Sequence, residues 1–216
     1  MSDEPTIVTE ALARYLAART QRDDAFLTAL KRAARDAGFP PIWIAPEQAS
    51  FLAIVLRLAG ARSVIEIGTL AGYSAITMAR ALPAEGRVDT IEIDARRAAF
   101  AREWIARSDV AERIVVHHGA GAAILPRFAA GSADACLLDA DKASYAAYLA
   151  ECLRILRPRG LILADNAFGF GRVLDEQARD PDVLAVRAFN ERMASTPGLR
   201  SVIVPLGDGL WLGMKE

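Results

Sequence analysis

The chain has 216 residues, of which 53% are apolar and 25% charged, so it is long enough to bury a substantial core as one large domain. Its formal net charge of −1 argues against broad electrostatic capture of nucleic acid or of an acidic membrane. The two cysteines, Cys136 and Cys152, belong to no spaced Cys/His cluster, so we expect reduced core residues and no zinc motif. The N-terminus resembles no signal peptide, and no apolar run approaches the roughly 18 residues of a membrane span. We therefore expect a cytoplasmic protein without membrane contact.

The sequence pattern of the first sixty residues predicts helices. Apolar residues recur at three-to-four spacing in segments 9–19, 24–38 and 46–60, each closed by polar residues, Gly or Pro. The connector between the second and third segments is Pro-rich and carries Phe39 and Trp43, which could pack in the core or cover a ligand. We interpret 1–60 as a helical segment of a single domain, 1–216, whose ligand-binding core is 61–216.

After Gly60 the pattern changes to short β-branched runs that alternate with helical stretches. The predicted strands lie at 63–68, 87–94, 113–119, 133–140 and 160–166, and the predicted helices at 72–82, 95–107, 121–130 and 143–156. Five such alternations predict a parallel sheet with helices on both faces. A further helix near 180–195 precedes two strands joined by Leu206-Gly207-Asp208-Gly209, a hairpin signal. The fold class is thus α/β, a doubly wound, mostly parallel seven-stranded sheet that ends in an antiparallel hairpin.

The exit of the first predicted strand has the features of a cofactor site. Gly68 and Gly72 precede a helix, where glycine permits close approach of the backbone and the helix N-terminus offers free amides. The spacing is not GxGxxG, and Glu66 would repel a pyrophosphate, whereas a cofactor with a sulfonium and an amino group suits that acid. Glu92 ends the second strand, where a carboxylate can hydrogen-bond ribose hydroxyls. The alternative is an ordinary glycine turn beside a surface acid.

Oxygen-bearing side chains follow the fourth and fifth strands. Asp139 comes directly after one, and Asp165 and Asn166 come after the other. Because adjacent parallel strands deliver their C-terminal ends to one crevice, these groups can form an all-oxygen site for a hard cation such as Mg²⁺ or Ca²⁺. The alternative makes Asp139 a helix cap and the Asp165-Asn166 pair an Asx turn.

Lys142 lies three residues past Asp139 and is the candidate catalytic base. A free phenol, with a pKa of about 10, is mostly protonated at neutral pH and is a poor nucleophile. A partly desolvated lysine near a cation has a lowered pKa and can accept the phenol proton. The alternative is a solvated loop lysine. Asp141 has no assigned role and could cap the helix that begins near Ala143, in competition with Ser144.

Several stretches together resemble the cation-dependent O-methyltransferase family of caffeoyl-CoA and catechol O-methyltransferases and their bacterial relatives. They are EIGTLAGYSAITMARAL, IEID, HHGAGAAILP, LLDADKASY, ADN and PLGDGLWLGMK, and the similarity runs from about Ala45 to the C-terminus. The resemblance implies the class I methyltransferase fold, S-adenosylmethionine as cofactor, and a divalent cation, Mg²⁺ foremost with Ca²⁺ or Mn²⁺ as alternatives. It also implies a homodimer.

The resemblance further implies the roles of individual residues. Cofactor contacts would be made by Glu66, Gly68, Thr69, Gly72, Ser74, Glu92, Gly119, Ala120, Gly121 and Asp139. Within this set Glu66, Gly68 and Ser74 would line the methionine end, Glu92 the ribose, and 119–121 the adenine. The implied metal ligands are Asp139, Asp165 and Asn166, and the implied base is Lys142.

The chain departs from the plant caffeoyl-CoA enzymes after Asn166, where it lacks a tryptophan-containing stretch. Phe168 and Phe170 are placed there to contact an aromatic acceptor. The leading hypothesis is a metal-dependent O-methyltransferase for a catechol-like or hydroxylated aromatic small molecule. A second is a methyltransferase for a hydroxylated nucleoside in tRNA, for which arginines at 14, 19, 22, 32 and 35 leave room for a basic face. A third is an inactive cofactor-binding protein.

Overall fold

The computed structural model describes residues 8–216 of the chain. Its strands are β1 (Ser63–Ile67), β2 (Arg87–Glu92), β3 (Ile114–His118), β4 (Ala133–Leu138), β5 (Leu156–Ala164), β6 (Leu199–Val204) and β7 (Leu210–Lys215). The α-helices of this part of the chain are α1 (Glu10–Ala17), α2 (Ala25–Asp36), α3 (Pro46–Leu58), α4 (Tyr73–Ala81), α5 (Ala95–Ala106), α6 (Gly121–Ile124), α7 (Tyr145–Ile155) and α8 (Pro181–Ser195).

The strands form one seven-stranded sheet in the order β3-β2-β1-β4-β5-β7-β6. The first five pair in parallel, and β7 pairs antiparallel with both β5 and β6. The predicted fold class is therefore confirmed. Residues 135–138 of β4 are completely buried because helices cover both faces of the sheet, which explains their uninterrupted apolar sequence.

The strand order reverses between β1 and β4, and this reversal creates the crevice where ligands of such sheets bind. The register sets Ile67 beside Leu138, and Leu138 beside Ala164. The Asp139 amide donates to the Ile67 carbonyl at 2.9 Å, and the Asp165 amide donates to the Leu138 carbonyl at 3.0 Å. The strand ends that carry the acidic residues are thus level with one another.

Two predicted elements differ from the structure. The helix predicted at 121–130 is a single α-helical turn followed by a 3-10 turn at Leu125–Arg127, because Pro126 has no N–H to continue the helical ladder. The helix predicted at 143–156 opens with a 3-10 turn, Lys142–Ser144, before α7. Lys142 therefore lies at the first position of a short turn.

The N-terminal helices cover one face of the sheet to different extents. Leu30 of α2 and both Leu52 and Leu56 of α3 are buried in the main core cluster, whereas α1 has no buried side chain. No helix within residues 8–216 is both long and apolar enough to cross a membrane. The expected absence of a signal peptide concerns a segment that begins outside the described residues. Cys136 and Cys152 are buried and unpaired, as predicted.

Candidate active site

A cavity of about 690 Å³ lies at the C-terminal ends of β1, β2, β4 and β5. It brings together most of the site residues predicted from the sequence, which are Gly68, Thr69, Ser74, Glu92, Gly119, Gly121, Asp139, Lys142, Asp165 and Asn166. Three further predicted residues, Glu66, Gly72 and Ala120, do not line it. The crevice at the strand reversal is thus the candidate active site.

Glu66 lies behind the cavity wall and is completely buried. Its Oε2 accepts the Thr90 hydroxyl, which also lies 2.6 Å from the Thr69 hydroxyl, while Oε1 has no partner among residues 8–216. Burial raises the pKa of Glu66 to about 7, against the opposing hydroxyls of Ser74 and Thr90. The acid therefore supports the loop that forms the wall, where Thr69 faces the cavity.

Gly68 permits a very close approach between the ends of β1 and β4. Its φ is +103°, and a Cβ at this position would lie 1.8 Å from the carbonyl oxygen of Asp139. No other residue fits here without displacing the backbone that carries Asp139. Gly121 is similarly constrained, since an added Cβ would lie 2.8 Å from the ring of Tyr148.

Glu92 is held in one orientation at the end of β2. One carboxylate oxygen accepts the Leu70 amide at 2.8 Å and the other accepts the Asp94 amide at 2.9 Å. The side chain is only 4% exposed, yet it lines the cavity. A carboxylate fixed by two backbone amides presents its remaining lone pairs in a defined direction.

Asp139, Asp165 and Asn166 form a set of oxygen groups around the Lys142 amine. Lys142 Nζ lies 2.7 Å from Asn166 Oδ1 and 3.8 Å from Asp139 Oδ1. Burial, and then the charge of Asp165, raise the pKa of Asp139 to about 7; burial also raises the pKa of Asp165. The third oxygen group of this set is the Asn166 amide. Within residues 8–216 no three His, Cys, Asp or Glu side chains are grouped so that they could hold a metal ion.

Lys142 is anchored on its other side by Tyr145. The amine donates to Tyr145 Oη at 2.6 Å, and this tyrosine is 1% exposed. Burial lowers the pKa of Lys142 below its ordinary value, although the nearby charges of Asp139 and Asp165 oppose that shift. A lysine held between these groups has a fixed position and a reduced affinity for its proton, both properties of a general base.

Sequence reasoning missed Gln48, a buried residue of α3 that reaches the site. Its Nε2 donates to Asp165 Oδ1 at 2.6 Å, and its Oε1 accepts the Ala45 amide at 2.9 Å. The second contact is half of a capping box, and a Gln three residues past a helix start is its sequence signal. The first contact joins residues 117 positions apart and has no local signal.

Asp141, to which the sequence assigns no role, does not cap a helix through its side chain. Neither Asp141 nor Ser144 makes a side-chain hydrogen bond to a helix N-terminus. The carboxylate of Asp141 instead accepts the hydroxyl of Tyr148 at 2.9 Å, and both side chains line the cavity. This contact with a residue of α7 gives the Asp141 carboxylate a hydrogen-bond partner at the edge of the cavity.

The aromatic residues divide between the cavity and the core. Trp43 and Phe170 line the cavity, and Phe170 is 79% exposed. Phe39 packs in the core with its ring 5.0 Å from that of Phe100. Phe168 lies outside the cavity lining, because its ring packs where a Cβ on Gly209 would otherwise stand. Of the four aromatic residues considered from the sequence as ligand contacts, Trp43 and Phe170 therefore line the cavity, together with Tyr73 and Tyr148.

The sheet order and the cavity at its strand reversal define a class I, S-adenosylmethionine-dependent methyltransferase. A family model described as O-methyltransferase matches residues 17–216. A catechol O-methyltransferase from Niastella koreensis is 39% identical over 197 residues, covering 90% of this chain and 86% of the relative. The chain belongs to the O-methyltransferase family.

Solved structures give the same result. An O-methyltransferase from Bacillus cereus in complex with S-adenosylhomocysteine superposes with a TM-score of 0.87 at 30% identity, covering 95% of this chain and 97% of that one. The O-methyltransferase TomG from Streptomyces achromogenes, involved in tomaymycin synthesis and bound to S-adenosylmethionine, superposes with a TM-score of 0.85 at 30% identity, covering 95% and 96%. The protein is thus an S-adenosylmethionine-dependent O-methyltransferase.

Proposed function

We propose that this enzyme methylates one hydroxyl of a catechol-like or hydroxylated aromatic small molecule, with a divalent cation bound by Asp139, Asp165 and Asn166. The observation that carries the proposal is the meeting of these three oxygen groups around Lys142, in the same cavity as the glycine loop after β1. The similarity to the Niastella koreensis catechol O-methyltransferase supports this acceptor class.

The donor set fits a hard divalent cation. Two carboxylates and one amide oxygen are the ligand types that Mg²⁺ prefers, with Ca²⁺ or Mn²⁺ as alternatives. Burial raises the pKa of both Asp139 and Asp165, and the charge of Asp165 adds to the shift of Asp139; a cation bound by both carboxylates would favour their ionised forms. When bound, the ion would lower the pKa of a phenol that it binds and orient the two oxygens of a diol.

The cofactor would lie between the β1 loop and the end of β2. Gly68, Thr69 and Ser74 would contact its methionine end, Glu92 its ribose, and Gly119 and Gly121 its adenine side. Glu66, Gly72 and Ala120 do not line the cavity and would instead support the residues that form its wall. For Glu66 this support runs through Thr90 and Thr69.

Lys142 would act as the base. Its amine, when neutral, would accept the acceptor's hydroxyl proton and later release it to solvent. S-adenosylmethionine, when bound, would supply the methyl group: the carbon–oxygen bond would form as the carbon–sulfur bond breaks, with S-adenosylhomocysteine as the leaving group. The fixed position of the amine and the aromatic wall at Phe170 supply much of the required orientation.

A tRNA acceptor is the alternative, and the charge distribution argues against it. Two of the N-terminal arginines are paired on their own helices, Arg14 with Glu10 and Arg32 with Asp36. A third, Arg35, stacks over Trp43. These pairings leave less of a continuous basic face than the sequence positions suggested.

We also propose that two copies form a homodimer through α1 and α3. Leu12, Tyr15 and Leu16 of α1 are exposed, as are Ile54 and Leu58 of α3, with Leu58 83% exposed. Several large apolar side chains exposed on two helices that contact each other favour an interaction site.

Three acceptors distinguish these functions. Purified enzyme would be incubated with methyl-labelled S-adenosylmethionine and Mg²⁺, together with caffeic acid, p-coumaric acid or unmethylated tRNA. We expect label in caffeic acid and little in p-coumaric acid, the matched control that lacks the second hydroxyl. Equal labelling of both phenols would contradict the diol requirement, and labelling of tRNA alone would select the nucleoside alternative.

A further inference from the structure

The turn between β6 and β7 is attached to the loop that follows β5. The amides of Ala167 and Phe168 donate to the carbonyls of Gly209 and Asp208, both at 2.9 Å. The Asp208 side chain reaches further: one of its oxygens accepts Asn166 Nδ2 at 3.2 Å, and both lie within 2.9 Å of the Phe170 amide. Asp208 also lines the cavity. A residue that the sequence presents as part of a hairpin turn therefore contacts the proposed ligand set.

These contacts determine which end of the Asn166 amide faces the site. Lys142 Nζ donates to Oδ1 at 2.7 Å while Nδ2 donates to Asp208. If the amide flipped, its NH₂ group would face the hydrogens that the Lys142 amine donates and its oxygen would face a carboxylate, so both hydrogen bonds would be lost. Lys142 and Asp208 thus enforce one orientation, with the oxygen toward Lys142.

The same carboxylate also holds Phe170, the aromatic residue at the cavity wall. Phe170 has a φ of +56°, a left-handed conformation that is strained for a bulky residue. Asn166 is left-handed as well, with a φ of +66°. Asp208 binds the Phe170 amide directly and so stabilises this strained segment. One side chain therefore fixes both an oxygen ligand and an aromatic wall.

We propose that Asp208 is a positioning residue for methyl transfer: it orients the Asn166 oxygen toward the cation and holds Phe170 against the acceptor. This inference rests on the proposed function for the cation and the acceptor. The simpler alternative is a turn aspartate that only satisfies the Phe170 amide. The two differ in what Asp208 does to Asn166.

The amide orientation can be measured without metal, cofactor or substrate. The chain contains two asparagines, Asn166 and Asn190, so asparagine labelled with ¹⁵N in the side chain gives two NH₂ resonance pairs. Asn190 donates to the Ala167 carbonyl at 2.8 Å and accepts from Trp211 at 2.7 Å, which makes it an internal control for the same loop. In Asp208→Ala we expect the Asn166 pair to shift and the Asn190 pair to stay. An unmoved Asn166 pair, or equal shifts of both, would overturn the proposal.

A swap of the two side chains tests the functional part. Asp208→Asn should weaken Mg²⁺ binding in calorimetry about ten- to a hundred-fold and raise the acceptor KM, with unchanged S-adenosylmethionine affinity. Asp208→Asn combined with Asn166→Asp should recover much of the loss, because the new amide donates to the new carboxylate, which keeps an oxygen facing Lys142. Asn166→Asp alone is the control.

The outcomes separate the two proposals. No recovery in the double variant, or normal Mg²⁺ binding in Asp208→Asn, would reduce Asp208 to a turn residue. Failure of the wild-type protein to bind Mg²⁺ would instead refute the cation site of the proposed function, and the asparagine resonances would still test the orientation.

Discussion

The Lys142 amine donates to Asn166 Oδ1 at 2.7 Å and to Tyr145 Oη at 2.6 Å, so its position is set by two neighbours rather than by its short turn. Tyr145 follows three residues after Lys142, a spacing that brings side chains together on one side of a helical turn. The sequence motif therefore contains both the proposed base and the group that anchors it.

Replacing Lys142 with methionine tests the base. Lys142→Met keeps the buried stem and removes the proton acceptor, so we expect kcat to fall about 10²- to 10⁴-fold. The affinity for S-adenosylmethionine should be unchanged in calorimetry. A kcat within about three-fold of the wild-type value would show that another group, or solvent, takes the proton.

The residues of the site differ in how well the sequence reveals them. Asp139 and Asp165 were predictable because each directly follows a buried strand and the strands are adjacent. Gln48 and Asp208 were not, since their contacts depend on α3 and the final hairpin closing over the site from distant parts of the chain. The complete burial of Glu66 could not be predicted either, because the motif gives its position in β1 but not the residues that lie between it and the cavity.

At the level of secondary-structure elements, the site depends on how tightly the ends of β1 and β4 approach. There is no room for a Cβ between Gly68 and the Asp139 carbonyl, so the loop after β1 packs directly against the backbone of Asp139. The strand pattern predicted the sheet and its hairpin, whereas the one-turn α6 was predicted too long because the break at Pro126 was not weighed against the apolar pattern.

Comparing the stability of the Gly68→Ala and Gly131→Ala variants measures how tightly the ends of β1 and β4 are packed. Gly131 has a φ of +69° with nothing within 4 Å of an added Cβ, so its substitution should cost only the left-handed strain, about 1–2 kcal/mol. Gly68→Ala should cost about 2 kcal/mol more in urea unfolding, because it also displaces the Asp139 backbone. Equal losses would mean that the loop and β4 separate easily.

Asp134 connects β1, β4 and β5 at the end of the sheet opposite the cavity, where β1 and β4 begin. Its carboxylate accepts the amides of Arg62 and Ser63 and pairs with Arg157. Burial by itself would raise the pKa of Asp134, but these contacts outweigh it and lower the pKa below the ordinary value. The link between β1, β4 and β5 is therefore strongest when Asp134 is ionised.

This shift predicts a pH-dependent stability. Because the folded pKa is depressed, the contribution is complete above the unfolded pKa of about 3.9 and is lost as the pH falls through the folded value. Asp134→Asn should lower the melting temperature at pH 7, and the gap to wild type should narrow below about pH 4. Asp36→Asn, at an exposed 3.9 Å pair with Arg32, is the control. A gap that is constant with pH would contradict the assignment.

At the scale of the whole molecule, α1 is the one α-helix among the described residues with no buried side chain. Leu12, Tyr15 and Leu16 of this helix are exposed, as are Ile54 and Leu58 of α3, while the fold resembles methyltransferases over almost its full length. These exposed apolar side chains are the basis of the proposed homodimer.

Charge introduced on this surface should separate the copies. Leu16→Asp combined with Leu58→Asp should reduce the mass measured by light scattering from a dimer to a monomer, because each aspartate would be desolvated at the interface. Leu184→Asp, at an exposed position of α8, should leave the mass unchanged. A wild-type protein that is monomeric at micromolar concentration would contradict the dimer.

The central claim is that Asp139, Asp165 and Asn166 hold a cation that the reaction needs. The most direct test is the rate of labelled methyl transfer to caffeic acid by EDTA-treated wild-type enzyme as Mg²⁺ is added back. We expect almost no transfer without the ion, saturable recovery with it, and a loss of recovery in Asp139→Ala. Full activity in EDTA would contradict the cation site and leave the aspartates with a structural role.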